Sequence, residues 1–254
     1  MAFGEFHYFS SALGKSTACN VIFPEEKAHS GPYPTLYLLH GLSDDHSNWQ
    51  RRTSIERYVQ TLPLIVVMPD GGRGWYSNAH EGADYESAIM DDCIGFVERT
   101  FRADARREAR CIGGLSMGGY GAIKLGLQHP DKFVSAHGHS GAYGFGHAQW
   151  RMEEPEFRRI IGPQSDGGPL DLWNIAEGAK TSGTLPSLHI DCGTSDFLIE
   201  QNRDFHAHLD ELGIAHEYEE FAGAHDWAYW DKHIQGALRF HARCLGISKP
   251  RVRG

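Results

Sequence analysis

Residues 3–10 alternate aromatic and polar side chains, and residues 17–23 resume a β-rich pattern after a turn at Gly14. Period-two alternation interrupted by a turn predicts two antiparallel strands of a meander. Residues 35–39 (TLYLL) and 64–68 (LIVVM) are short, unbroken apolar runs ending in His40-Gly41 and Pro69-Asp70-Gly71-Gly72. Such runs predict central parallel strands, whose two faces are both covered by helices. Residues 84–101 place Tyr85, Ile89, Cys93, Phe96, Val97 and Thr100 at three- and four-residue steps, which is a helical stripe. Further strands are expected at 110–115, 133–138, 185–192 and 216–221. Helices are expected at 117–128, stopped by His129-Pro130, at 199–212, closed by Gly213, and at 227–245.

Strands alternating with helices define an α/β fold with a mostly parallel central sheet and helices on both faces. Residues 142–185 interrupt the alternation with Gly144, Gly146, Pro155, Pro163, Gly167, Gly168 and Pro169. They are too many for a plain crossover and read as a lid-like insertion over one end of the sheet. A chain of 254 residues fits one such domain, 1–254, and leaves no room for a second.

Composition narrows the function. The net charge of −9 lacks the basic excess of a general nucleic-acid binder. No apolar run reaches the ~18 residues that span a bilayer. The first ten residues have neither a basic nor an apolar signal region, so a cytoplasmic setting is expected. Five cysteines, an odd number without a CxxC pair, fit buried thiols in a reducing compartment. Thirty glycines are about 12% of the chain against a usual ~7%, so many must serve turns and close backbone approaches.

Gly114-Leu115-Ser116-Met117-Gly118 fits G-x-S-x-G between an expected strand and an expected helix, the context of a nucleophile elbow. The turn lifts a serine to the sheet's C-terminal edge at a helix N-terminus, where free N–H groups favour a developing oxyanion. A serine hydroxyl needs a base, and the base an orienting carboxylate, in the chain order Ser, acid, His. Asp191 and Asp196 both lie near the next-to-last strand. Asp191 sits within the strand and Asp196 in the loop beyond it, which favours Asp196. Among sixteen histidines, His225 alone follows the last strand and precedes the final helix, whereas His216 falls in the strand and His233 in the helix. The backbone N–H groups of Leu42, after the first central strand, and of Met117 are the expected oxyanion donors.

The segments HGLSDDHSNW (40–49), GGLSMGGYGA (113–122), CGTSDF (192–197) and GAHDWAYW (223–230) resemble the esterase D family of α/β-hydrolases, and HYFSSALGKSTACNVIFP (7–24) its tributyrin-esterase branch. The resemblance runs from about residue 5 to 245. It implies the α/β-hydrolase fold, a Ser116-His225-Asp196 triad acting through an acyl-enzyme, and short-chain acyl esters as substrates. Acetyl xylan or feruloyl esterase activity on acylated sugars and S-formylglutathione hydrolysis are the alternatives. The aromatic-valine-aspartate signature usual in S-formylglutathione hydrolases is missing near 73–78. By analogy Trp75 and Tyr76 would wall the acyl site, with Trp227 as a further aromatic wall. Relatives are often dimers or tetramers, so a homo-oligomer stays open.

Other classes fit less well. His137 and His139 share a strand face, but further ligands at suitable spacing and an HExxH motif are missing, so neither metal nor cofactor is expected. His206 and His208, two apart on a helix, point to different faces. A non-catalytic binding protein would commonly have lost a triad member. An acyltransferase would use the same residues on a different acceptor.

Overall fold

A computed structural model describes residues 1–25, 31–181 and 183–247. The strands are β1 (Ala2–Ser10), β2 (Lys15–Phe23), β3 (Thr35–Leu39), β4 (Ile65–Pro69), β5 (Arg110–Leu115), β6 (Ser135–His139), β7 (Ser187–Gly193) and β8 (His216–Phe221). They form one sheet in the order β1-β2-β4-β3-β5-β6-β7-β8. β1 and β2 pair antiparallel, as does β2 with β4, and every pairing from β4 to β8 is parallel. The α/β expectation is met: this is an α/β-hydrolase fold.

Side-chain parity along the strands builds two cores. Tyr37, Leu39, Ile65, Val67 and Ile112 face one layer, with α4 (Ile94–Thr100), α5 (Met117–Gln128), α7 (Leu172–Lys180) and α8 (Ile199–Leu212). Leu36, Leu38, Val66, Met68 and Cys111 face the other, with α1 (Asn48–Arg52), α2 (Ile55–Val59) and α9 (Trp227–Cys244). Both faces of β3 and β4 are therefore buried, which is why these strands read as unbroken apolar runs. The expected helix at 84–101 is present in three pieces: α3 (Tyr85–Ser87), a π-helical segment at Ala88–Cys93, and α4.

Residues 142–181 fold onto the first layer and include α6 (Pro155–Ile161) and α7. Their aromatic side chains pack inward. Phe145 stacks on Trp75 at 3.9 Å, and Trp150 and Phe157 meet the same indole edge-on. The backbone of 80–81 donates to the Ile160 and Arg159 carbonyls, and Arg73 pairs with Glu156 at 2.6 Å.

One patch of the second core is polar. Ser135, His137 and His139 alternate along β6, and His189 and Asp191 along β7, all buried beneath α9. His241 of α9 meets Ser135 and His137 at 2.8 and 2.6 Å. Gly113 of β5 makes room for this group, because a Cβ there would lie 1.9 Å from the His137 ring.

Candidate active site

Three loops at the C-terminal edge of the sheet bring their side chains together. The first follows β5. Ser116 has φ 53° and ψ −116°, a conformation that costs about 1–3 kcal/mol for a non-glycine residue and persists only where the surroundings impose it. A Cβ at Gly118 would lie 2.5 Å from the Leu39 carbonyl oxygen, and one at Gly114 2.5 Å from the Gly118 oxygen. Only glycine lets α5 start this close to β3 and β5. The Ser116 N–H donates to the His139 carbonyl at 2.9 Å, and its own carbonyl accepts from Tyr120 and Ala142.

The second and third loops follow β7 and β8 and are joined to each other. Thr194 N–H donates to the Phe221 carbonyl and Ser195 N–H to that of Gly223. A Cβ on Gly193 would lie 2.5 Å from the Gly223 oxygen. Asp196 stands on the first of these loops, its side chain fully buried, and His225 on the second. His225 Nδ1 lies 2.8 Å from Asp196 Oδ2, and His225 Nε2 3.0 Å from Ser116 Oγ. Asp196 Oδ1 accepts the Leu198 N–H at 2.8 Å. Burial alone would raise the Asp196 carboxyl, but the hydrogen bond and charge of His225, with the Leu198 N–H and the Ser140 hydroxyl, outweigh it and hold the group below its usual range. An ionised carboxylate at Nδ1 fixes the proton there and leaves Nε2 as acceptor toward the serine hydroxyl, the arrangement that general-base catalysis requires.

Met117 opens α5, where the first N–H groups of a helix lack intrahelical partners. Leu42 follows Gly41, whose absent Cβ would meet Leu115 and Ser116 at 2.8 and 3.7 Å. The Leu42 loop is anchored through His40, which accepts the Gly71 N–H at Nε2 and lies 2.8 Å from the Gly41 carbonyl at Nδ1. The Tyr76 hydroxyl donates to the His40 carbonyl at 3.0 Å. The structure thus places Tyr76 as a buried anchor of this loop, and Trp75 inside the aromatic cluster of the 142–185 segment, rather than on an open wall. Trp227 is half-buried against Trp49 and Trp230.

Two neighbours of His225 escape the sequence reading. Phe197, directly after Asp196, lies 4.5 Å from the imidazole and is 75% exposed. Trp230, four residues past Asp226 on α9, meets the imidazole edge-on at 4.9 Å.

Among the described residues, two histidine–aspartate groups bring ligand-type atoms within 4.8 Å of one another. In the first, the His206 ring bridges its partners. Nδ1 lies 2.7 Å from His216 and Nε2 3.6 Å from Asp210. In the second, Asp171 already accepts from the Trp173 and Gly167 N–H groups and faces His147. Among the described residues no helix is long and apolar enough to cross a membrane.

Comparison with known proteins agrees with this architecture. The family described as "Putative esterase" matches residues 10–241. An acetyl esterase of Caldicellulosiruptor saccharolyticus is 30% identical, the match covering 96% of this chain and 99% of that protein. Two solved Staphylococcus aureus structures superpose closely. A substrate-bound, fluorophosphonate-binding serine hydrolase F is 33% identical with TM-score 0.86, and an S-formylglutathione hydrolase is 34% identical with TM-score 0.85. Each match covers 94% of this chain and 98% of the other.

Proposed function

The chain belongs to this esterase family of serine hydrolases, and from that premise we propose that it is a carboxylesterase that cleaves short-chain acyl esters through an acyl-enzyme on Ser116. What carries the reading is the hydrogen-bonded chain from Ser116 Oγ through His225 to Asp196. Ser116 Oγ attacks the ester carbonyl while His225 Nε2 takes its proton. Asp196 stabilises the imidazolium, and the Leu42 and Met117 N–H groups receive the oxyanion. The alcohol leaves with the proton from His225. Water, deprotonated by the same imidazole, then releases the acid.

The extent of the match to an acetyl esterase supports small acyl groups, acetyl to butyryl, including acetyl groups on soluble sugars. A second reading, thioester hydrolysis of S-formylglutathione, draws on the 34% identity to the S. aureus hydrolase of that name. One panel separates them: p-nitrophenyl acetate to octanoate, acetylated xylo-oligosaccharides, methyl ferulate and S-formylglutathione. The carboxylesterase reading expects kcat/KM to peak at acetyl to butyryl esters, and a peak at S-formylglutathione would replace it. Ser116→Ala should remove at least ~10³-fold of the activity while the protein stays folded. A folded variant with undiminished esterase activity refutes the mechanism.

A further inference from the structure

Beneath the three loops lies a carboxylate that this mechanism does not use. Asp191 of β7 is 1% exposed. Its Oδ2 lies 2.6 Å from His139 Nδ1, and its Oδ1 accepts the Tyr229 hydroxyl at 2.7 Å. Its backbone carbonyl accepts the Ser140 N–H at 2.7 Å. Burial pushes the carboxyl up, but His139, with His189 and Tyr229, more than offsets it and keeps the group below its usual range.

The partners lead to two of the reacting groups, His139 to Ser116, and Ser140 and Tyr229 to His225. His139 offers its carbonyl to the Ser116 N–H. Ser140, a non-glycine residue at φ 47°, accepts the Trp230 indole N–H at 3.3 Å, and that indole meets the His225 ring edge-on. Tyr229 packs over Gly223 at the root of the His225 loop, where a Cβ would lie 2.5 Å from its ring, and its N–H is capped by Asp226. Asp191 itself lies on the strand that delivers Asp196. One buried side chain therefore connects the backbone under the nucleophile, the strand of the acid and the helix that follows the base.

We propose that Asp191 is a positioning residue which, through Tyr229 and His139, holds the loops carrying Ser116, Asp196 and His225 in mutual register. Burying a carboxylate is costly, and well-packed apolar groups often stabilise as well as a buried polar pair. What a carboxylate adds is direction: two acceptors aimed at two donors on separate elements. Misplacing a reacting group by about 1 Å can cost on the order of 100-fold in rate. The proposal rests on the Ser116–His225 reading above.

Tyr229→Phe removes the link to α9 and little else. Asp191→Asn presents an amide N–H to one of two donors and breaks the hub at its centre. Both are to be assayed with Ser116→Ala at a temperature well below each variant's Tm. For Tyr229→Phe the expected result is a kcat lowered about tenfold, KM within about twofold, and a displaced acid limb of the kcat/KM–pH profile, which reports the free imidazole. A folded Tyr229→Phe whose Tm falls while kcat and pH profile stay unchanged overturns the proposal, as does a change confined to KM. Should Asp191→Asn fail to fold, Tyr229→Phe decides alone. An active Ser116→Ala condemns the catalytic reading instead, whereas an inactive Ser116→Ala beside an unaffected Tyr229→Phe condemns only the hub.

Discussion

Asp196 spends its two oxygens on two different partners, the Leu198 N–H and the His225 ring. An asparagine would keep its carbonyl on Leu198 and turn its N–H toward His225 Nδ1. The imidazole would then hold its proton on Nε2 and donate to Ser116 rather than accept from it. Asp196→Asn should therefore lower kcat by roughly 10³- to 10⁴-fold with little change in Tm, a loss far larger than that of Asp191→Asn. Equal losses would mean that the orienting role is shared. Phe197 lies exposed against the same imidazole, the group that hands its proton to the departing alcohol in the proposed mechanism. A flat apolar leaving group can rest on that ring, a small alkyl group cannot. Phe197→Ala should raise KM for phenyl or naphthyl acetate about three- to tenfold and leave methyl and ethyl acetate unchanged. A uniform loss of kcat on all four esters would instead make the ring a support for His225.

At the level of elements, two glycines in helices make opposite predictions. Gly118→Ala would drive a methyl group into two carbonyl oxygens, at 2.5 and 2.6 Å, and α5 would have to leave the sheet. We expect a loss of more than ~2 kcal/mol, read as a large fall in Tm, together with loss of activity. Gly178, exposed within α7, has nothing within 4 Å of its missing Cβ, and Gly178→Ala should raise stability by about 0.5–1 kcal/mol. The same contrast shows what was legible in the chain. Strands β3 and β4 announce themselves because both faces are dry. Ser116, Asp196 and His225 stand out because a turn motif and chain order fix them. Helices α1 and α2, five residues each, are too short to show a period, and α6 and α7 are masked by neighbouring glycines and prolines. The Asp191 hub was invisible because its partners lie 52 and 38 positions away, and a carboxylate inside a strand carries no local mark of its use.

For the molecule as a whole, the polar patch under α9 sets the acid limit of stability. Burial holds His137 well below its ordinary range and His241 down to about 3. In the unfolded chain both would titrate near ~6.5. As pH falls through 6.5 the unfolded state takes up these protons first, so stability declines progressively from about pH 6.5 toward the folded values. Glu86, held near 2 in the fold mainly by His129 and Lys124 against the cost of burial, adds its own loss only below about 4.5. Tm should therefore already fall between pH 6.5 and 5, before the carboxylates titrate. A Tm that is level over that interval would contradict neutral burial of the two histidines. The contact between Gly193 and Gly223 reaches further still. Because a Cβ on Gly193 would run into the Gly223 backbone, and one on Gly223 into the Tyr229 ring, changes on one loop are felt by the other, and their effects should be strongly non-additive. Anyone recombining this enzyme with a relative would do well to treat residues 191–226 as a single cassette, since a crossover placed between the two glycines sets a foreign loop against a native one.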